Sequence, residues 1–505
     1  MWRSLFSGAV GGMLLAGAGP LAAQENQPSA VQQPQPEPVE VTGQQTTVGT
    51  DAPPAEMSPA EAPLPGPKYF NLRYLDDFSY LDGPPGSYKK DFFDPIKNIR
   101  LGDDLRLSIG GEFRFRMEAE TNKSFDAGRQ TQDTFQLYRY LLHADFKYRK
   151  LARFFVQGTA MFAEDRDLPR RGIDENRFDM HQAFFDLRFL GEDIPLTIRI
   201  WRQELQYGKQ RLLSPFDWGN VRRRFDAVKI FWRSEKFDAD FFYAKPVVVK
   251  RKQGDDWNEQ FDFYGMYLTA RVIPRHGIDF YFFAEDNTGS NLNPNGSRGD
   301  ISRYTFGTRF WGKTAGFDYE TEFAGQWGRW AGHTIQAWSW SVSGGYTFAQ
   351  LPWKPRLGGG FDFATGDEDP SDGKVGTFGQ LFPLGHAYFG FLDLIGRQNV
   401  TAARAELSAW PVPKKVKGAL AYHAFWLNDN HDALYNAGGR PVRRDPTGNS
   451  GTELGHELDL TLLWKIDLHQ TLLLGYSHFW DSDFIIQTGK SEDPDLFYIQ
   501  YAFKF

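Results

Sequence analysis

The last nine residues, Phe497-Tyr498-Ile499-Gln500-Tyr501-Ala502-Phe503-Lys504-Phe505, alternate along their whole length. Phe497, Ile499, Tyr501, Phe503 and Phe505 fall on one face; Tyr498, Gln500, Ala502 and Lys504 fall on the other. A period of two is that of a strand with one apolar side. Left open, such an edge invites pairing with other chains, and closing it into a barrel removes the edge. The stretch is expected to be the closing strand of a transmembrane β-barrel. Its partners should be the first strand, near Leu105, and the penultimate one, near Thr471, with Tyr498, Gln500 and Lys504 turned into the lumen.

Composition narrows the alternatives. Barrels run long as single units, so 505 residues impose no split. Beyond the N-terminus there is no run of about 20 apolar residues, which excludes a helix bundle in a membrane. Alternating barrel strands are compatible with the negative mean hydropathy. A net charge of −7 argues against nucleic acid as a partner. The absence of cysteine excludes a disulfide framework, a Cys-ligated metal and a lipoprotein anchor. Arg3, the apolar residues 5–18 and Leu21-Ala22-Ala23 read as a signal peptide over residues 1–23. Residues 24–67, rich in Pro and Gln, read as a disordered periplasmic linker, either a plain spacer or a docking segment for an envelope component. Residues 68–103 form an irregular lead-in to the barrel mouth, and residues 104–505 form the barrel.

Alternation begins at Leu105. Leu105, Leu107, Ile109, Gly111, Phe113, Phe115 and Met117 share one face, opposite Arg106, Ser108, Gly110, Glu112, Arg114, Arg116 and Glu118. Comparable stretches recur to the C-terminus, giving about 18 strands, the even number expected of a single-chain bacterial barrel. Their links differ in length. Residues 149–151, 234–236, 274–277, 312–315, 411–414 and 467–470 are short; residues 121–133, 165–176, 286–300, 366–397 and 428–452 are long and polar. Short turns at one end and long loops at the other are characteristic of the outer membrane, with both termini on the short-turn, periplasmic side. Trp201, Trp218, Trp232, Trp257, Trp311, Trp327, Trp330, Trp410 and Trp426 lie near strand ends, as in an interfacial girdle. A sugar-stacking platform or an ordinary β-core would use them equally.

Three stretches resemble the alginate export family. The first is Arg202-Gln203-Glu204-Leu205-Gln206-Tyr207-Gly208 and its continuation through Pro215-Phe216-Asp217-Trp218-Gly219-Asn220 to Arg222-Arg223-Arg224-Phe225-Asp226. The second is Leu381-Phe382-Pro383-Leu384-Gly385-His386-Ala387-Tyr388-Phe389-Gly390-Phe391-Leu392-Asp393-Leu394, and the third runs on through Ala402 to Tyr422-His423. The resemblance spans residues 105–505. It implies an 18-stranded barrel passing an anionic polyuronate through an arginine-lined constriction. By position, Arg202 and Arg139 resemble constriction arginines, and Gln182 stands where alginate exporters carry an acidic partner. A long pore-plugging turn found in those exporters is replaced here by residues 467–470, which leaves the substrate open.

With the apolar faces outward, the lumen receives Arg139, Arg199, Lys229, Arg309 and Arg404, and the resemblance adds Arg202 and Gln182 to these candidate substrate contacts. Rings of Arg and Lys select anions. Glu112, Asp186, Glu320, Glu322, Glu406, Glu457 and Asp459 face the same way, so mutual neutralisation that braces the lumen is the competing reading. Asp367, Asp369 and Asp372 form a weak Ca²⁺ candidate without full calcium-loop spacing. No zinc-ligand spacing, phosphate loop or nucleophile elbow occurs, so neither a cofactor nor an enzyme is expected. The expectation is a passive outer-membrane channel for an anionic polysaccharide or its fragments, gated by long outer loops. A diffusion porin for small anions or sugars is the alternative within transport, and a membrane-embedded enzyme or adhesin the alternative outside it. Expected partners are outer-membrane lipid and lipopolysaccharide, the anionic saccharide, and the barrel-insertion machinery, whose signal the terminal aromatic resembles.

Overall fold

The computed structural model describes residues 64–125 and 132–505. The expected signal peptide and residues 24–63 of the expected linker lie outside them. Eighteen long strands build one antiparallel sheet: β1 (Leu105–Thr121), β2 (Asp133–Tyr148), β3 (Ala152–Glu164), β4 (Asn176–Leu187), β5 (Leu196–Gln203), β6 (Phe225–Arg233), β7 (Phe237–Val248), β8 (Phe261–Ala270) and β9 (His276–Leu292), then β10 (Arg298–Thr314), β11 (Phe317–Trp330), β12 (His333–Thr347), β13 (Arg356–Ala364), β14 (Val400–Val412), β15 (Val416–Leu427), β16 (Glu453–Lys465), β17 (Gln470–Asp481) and β18 (Asp495–Lys504). Each pairs with its sequence neighbours, and β18 returns to β1. The sheet is a closed barrel.

Closure is staggered. Lys504 lies opposite Glu112 and Asp495 opposite Thr121, so β18 covers the second half of β1, not the end near Leu105. On its other side Phe503 pairs with Gln470 and Ala502 with Thr471. A tilted barrel requires this shear. The free beginning of β1 is taken instead by the two-residue strand Ile99–Arg100, with Ile99 opposite Leu107.

Side-chain alternation explains why the sequence closes this way. Leu142, Phe185, Ile200, Val228, Phe241, Phe306 and Trp340 point outward and are exposed. Their neighbours in sequence, among them Leu141, Arg199, Lys229 and Ser339, point inward and are buried. Lipid-facing rings also pair across strands: Phe113 with Tyr140 at 5.0 Å, Phe154 with Phe185 at 5.4 Å and Trp338 with Phe363 at 4.5 Å. Such pairs are worth about 0.2–1 kcal/mol each.

Three expectations need correction. The loop expected at residues 286–300 shrinks to residues 293–297, because β9 and β10 extend their hairpin past the rest of the wall. The segment at residues 366–397, read as an outer loop, turns inward: Phe378, Leu384, Phe389, Phe391, Leu392 and Ile395 are buried in the core that fills the barrel. Burying each of these large side chains is worth about 1.5–3 kcal/mol, enough to hold a loop inside. Trp218 is not a girdle residue. It belongs to that same internal core, whereas Trp201, Trp232, Trp257 and Trp327 are exposed.

Candidate functional site in the barrel lumen

The lumen is built by the inner wall and two loops that enter it, the β5–β6 loop (residues 204–224) and the β13–β14 loop (residues 365–399). The β5–β6 loop turns at Tyr207. Gln210 N donates to Tyr207 O, and Gly208 has φ +53°. A Cβ on Gly208 would stand 2.8 Å from the Tyr267 hydroxyl, so this approach requires glycine. Tyr207 stacks on Tyr267 at 4.8 Å and donates to Asp240 at 2.8 Å. The loops then pair backbone to backbone: Phe382 N donates to Leu212 O, Ser214 N to Phe382 O and Leu384 N to Gln210 O, each at 2.9 Å.

One side of this lining is apolar. Phe225, Phe242, Phe263, Tyr267, Tyr281 and Phe283 point inward and pack on Leu205, Leu212 and Phe382. An inner face lined by Arg and Lys throughout is therefore not what forms. Strands β6–β9 carry aromatics on both faces, and period two alone does not say which aromatic face meets lipid.

The densest group of charges lies between β1, β2 and the β5–β6 loop. Arg139 donates to Glu112 and to Asp217, each at 2.7 Å. Arg222 donates to the same Asp217 oxygen at 2.7 Å and to Glu204 at 2.5 and 2.9 Å. Arg114 reaches the loop through carbonyl oxygens, Asp217 O at 2.7 Å and Gly219 O at 3.0 Å. Burial alone would raise the Asp217 carboxyl; Arg139, Arg222 and Arg114 together hold it well below the usual carboxylate range. Arg116 lies over the Trp218 ring at 3.9 Å, and His386 of the second loop stacks on the ring at 4.1 Å.

The other candidates are spread around the wall. Arg202 grips Asp226 with two bonds, at 2.8 and 2.9 Å. Arg199 grips Asp186 at 2.6 and 2.7 Å and lies over Phe184 at 3.7 Å. Lys229 faces Asp240 at 3.5 Å. Arg309 is shared between Asp279 and Glu320, both at 2.8 Å. Arg404 pairs with Glu406 at 2.7 Å and donates to Ala387 O at 2.9 Å. Gln182 donates to Gln157 at 2.9 Å, and its carbonyl accepts from Glu204 N at 3.2 Å. Glu204 thus brings a carboxylate beside Gln182, the position at which the resemblance implies an acidic residue in alginate exporters.

Arg222, Arg223 and Arg224 lay within a stretch read for its resemblance, yet none was singled out. Arg222 binds Glu204 and Asp217, Arg224 binds Asp179 and Asp255, and Arg223 ties the two loops through Ser214 O and Phe382 O. Three consecutive cations in a link far longer than a turn were the available signal. The Ca²⁺ candidate does not form. Asp369 accepts from Ser371, and Asp372 pairs with Lys374 at 2.8 Å. Asp367 N donates to Asp432, and among the described residues no three acidic or histidine side chains are placed to hold a metal.

The alginate export family model matches residues 105–499. The chain belongs to the alginate export family. It is an outer-membrane β-barrel, and family and fold are those of channels. No curated protein matches the sequence. Solved structures similar to this alginate export family member include three from Pseudomonas aeruginosa. OccD3 (OpdP) is 13% identical, with TM-score 0.53, over 79% of this chain and 91% of that one. OpdQ is 11% identical, with TM-score 0.52, over 79% and 97%. OccK8 (OprE) is 10% identical, with TM-score 0.52, over 79% and 98%. At these identities the likeness is one of fold.

Proposed function

We propose that this member of the alginate export family is a passive channel for an anionic polysaccharide, an alginate-like polyuronate or its fragments. The grouping of Arg114, Arg139 and Arg222 about Asp217 carries this reading. Asp217 belongs to a loop, so its carboxylate occupies, among the wall guanidiniums of Arg114 and Arg139 and the loop guanidinium of Arg222, a place that a uronate carboxylate matches in charge and shape. Guanidinium pairs carboxylates bidentately and stays charged. Arg199, Arg202, Lys229, Arg309 and Arg404 supply further sites, each facing at least one carboxylate. A polymer that must also leave needs several weak sites, not one tight one.

The same balancing favours a second reading, a diffusion porin for small anions or sugars, because paired charges leave little net field. Block of single-channel current separates the two. Alginate oligomers should block at concentrations where neutral dextran of equal size does not; equal block by both would support the porin and remove the polyuronate.

A further inference from the structure

We propose that the segment ahead of the barrel is a withdrawable plug seated in the short-turn end of the lumen. Residues 71–74 are buried there. Arg73 donates to Gly111 O at 2.6 Å and to Phe505 O at 2.8 Å, which places it across the seam where the last strand meets the first. Tyr74 packs edge-on to Phe155 and Phe184 of the inner wall at 6.2 and 5.4 Å, and Arg153 donates to Tyr74 O at 2.6 Å. Arg222 of the β5–β6 loop donates to Asn71 Oδ1 at 2.9 Å and to Asn71 O at 3.2 Å. The segment therefore sits inside the wall, directly against the loop that carries Asp217. It also reaches the β16–β17 turn, where His469 bonds Asp91 at 2.8 Å.

Three features make this a removable part and not a stave of the wall. Among the described residues its one ladder to the barrel is Ile99–Arg100, after which Gly102 takes φ +93°, so the segment can swing without opening the sheet. Its apolar seat is small, Leu72 and Tyr74 on Phe155 and Phe184 with Phe93 on Phe503 and Phe505 at 5.9 and 5.1 Å, whereas the β5–β6 and β13–β14 loops are anchored in the large core of the lumen. Tyr69 Oη, Asn71 Nδ2 and His143 Nδ1 are buried in or beside the seat without a protein partner, and withdrawal would return them to water. The seat thus buries less apolar surface than either of the two inner loops.

The protein contains no cysteine, so one introduced pair is unique. Tyr74→Cys with Phe184→Cys in the full chain would lock the plug when oxidised. In planar bilayers, reduction of the locked protein should raise mean conductance severalfold, and reoxidation should reverse it. Equal conductance in the oxidised and reduced forms, with the disulfide confirmed by mass, would overturn the proposal. If the pair does not form, Leu72→Ala/Tyr74→Ala in the full chain should raise the open fraction severalfold; an unchanged open fraction in a folded barrel would overturn it equally. Alginate takes no part in either measurement, so the result stands apart from the choice of polymer.

Discussion

Arg139 of the barrel wall donates to Asp217 of the β5–β6 loop at 2.7 Å, and this pair joins the filling of the lumen to its lining. The same guanidinium holds Glu112 on the neighbouring strand, so one arginine bridges strand and loop.

Replacing Asp217 by Asn leaves Arg139 and Arg222 short of one carboxylate. Breaking a buried pair in this way costs about 3–5 kcal/mol. Asp217→Asn is expected to lower the urea midpoint and to shift the reversal potential in a salt gradient toward anions.

Trp218 is held between Arg116 at 3.9 Å and His386 at 4.1 Å. Truncating a buried aromatic costs about 3–5 kcal/mol. Trp218→Ala should detach the β5–β6 loop from the β13–β14 loop, seen as faster limited proteolysis within residues 204–224 while the wall stays resistant.

Leu142 points outward from β2, 60% exposed, and the alternation assigns it to lipid. Leu142→Arg is expected to cost about 2–4 kcal/mol if it sits near the midplane, falling toward the interfaces. Equilibrium unfolding from lipid vesicles measures this. A cost near zero would place that face in water.

Burial raises the Asp393 carboxyl to about 7, outweighing nearby Lys123 and Arg171. An unfolded aspartate titrates near about 4, so between the two values the folded protein holds a proton that the unfolded chain has lost. The stability this group contributes is complete below about pH 4 and is lost as pH rises through about 7. Asp393→Asn cannot ionise. It should match the parent in acid and exceed it above pH 7, by at most roughly 4 kcal/mol at 1.36 kcal/mol per unit. Urea midpoints across pH 4–8 test the sign.

The wall was legible in the sequence because a strand's period of two is local. Stretches such as residues 105–117 and the final nine residues declare their two faces without reference to anything distant. Alternation reports which side a residue takes, and it is silent on what fills the inside. Phe378, Phe389 and Phe391 lie in a long link whose length suggested an outer loop; their burial depends on Leu205, Leu212 and the aromatic wall, which are remote in sequence. Wall pairs such as Arg139–Glu112, Arg199–Asp186, Arg309–Glu320 and Arg404–Glu406 join residues that alternation places on one face, whereas the loop carboxylates carry no such mark. Asp217, Glu204 and Arg222 come from one loop, and nothing in spacing tells that it folds back onto Arg139 of the wall.

Exchange of a loop carboxylate for one from the polymer at these guanidiniums is tested most directly by current block with alginate oligomers in the full chain and in Arg139→Ala/Arg222→Ala. The parent should be blocked by alginate, and the double variant should lose that block at least tenfold and lose anion preference while still conducting. Undiminished alginate block and unchanged selectivity in a folded, conducting double variant would contradict it.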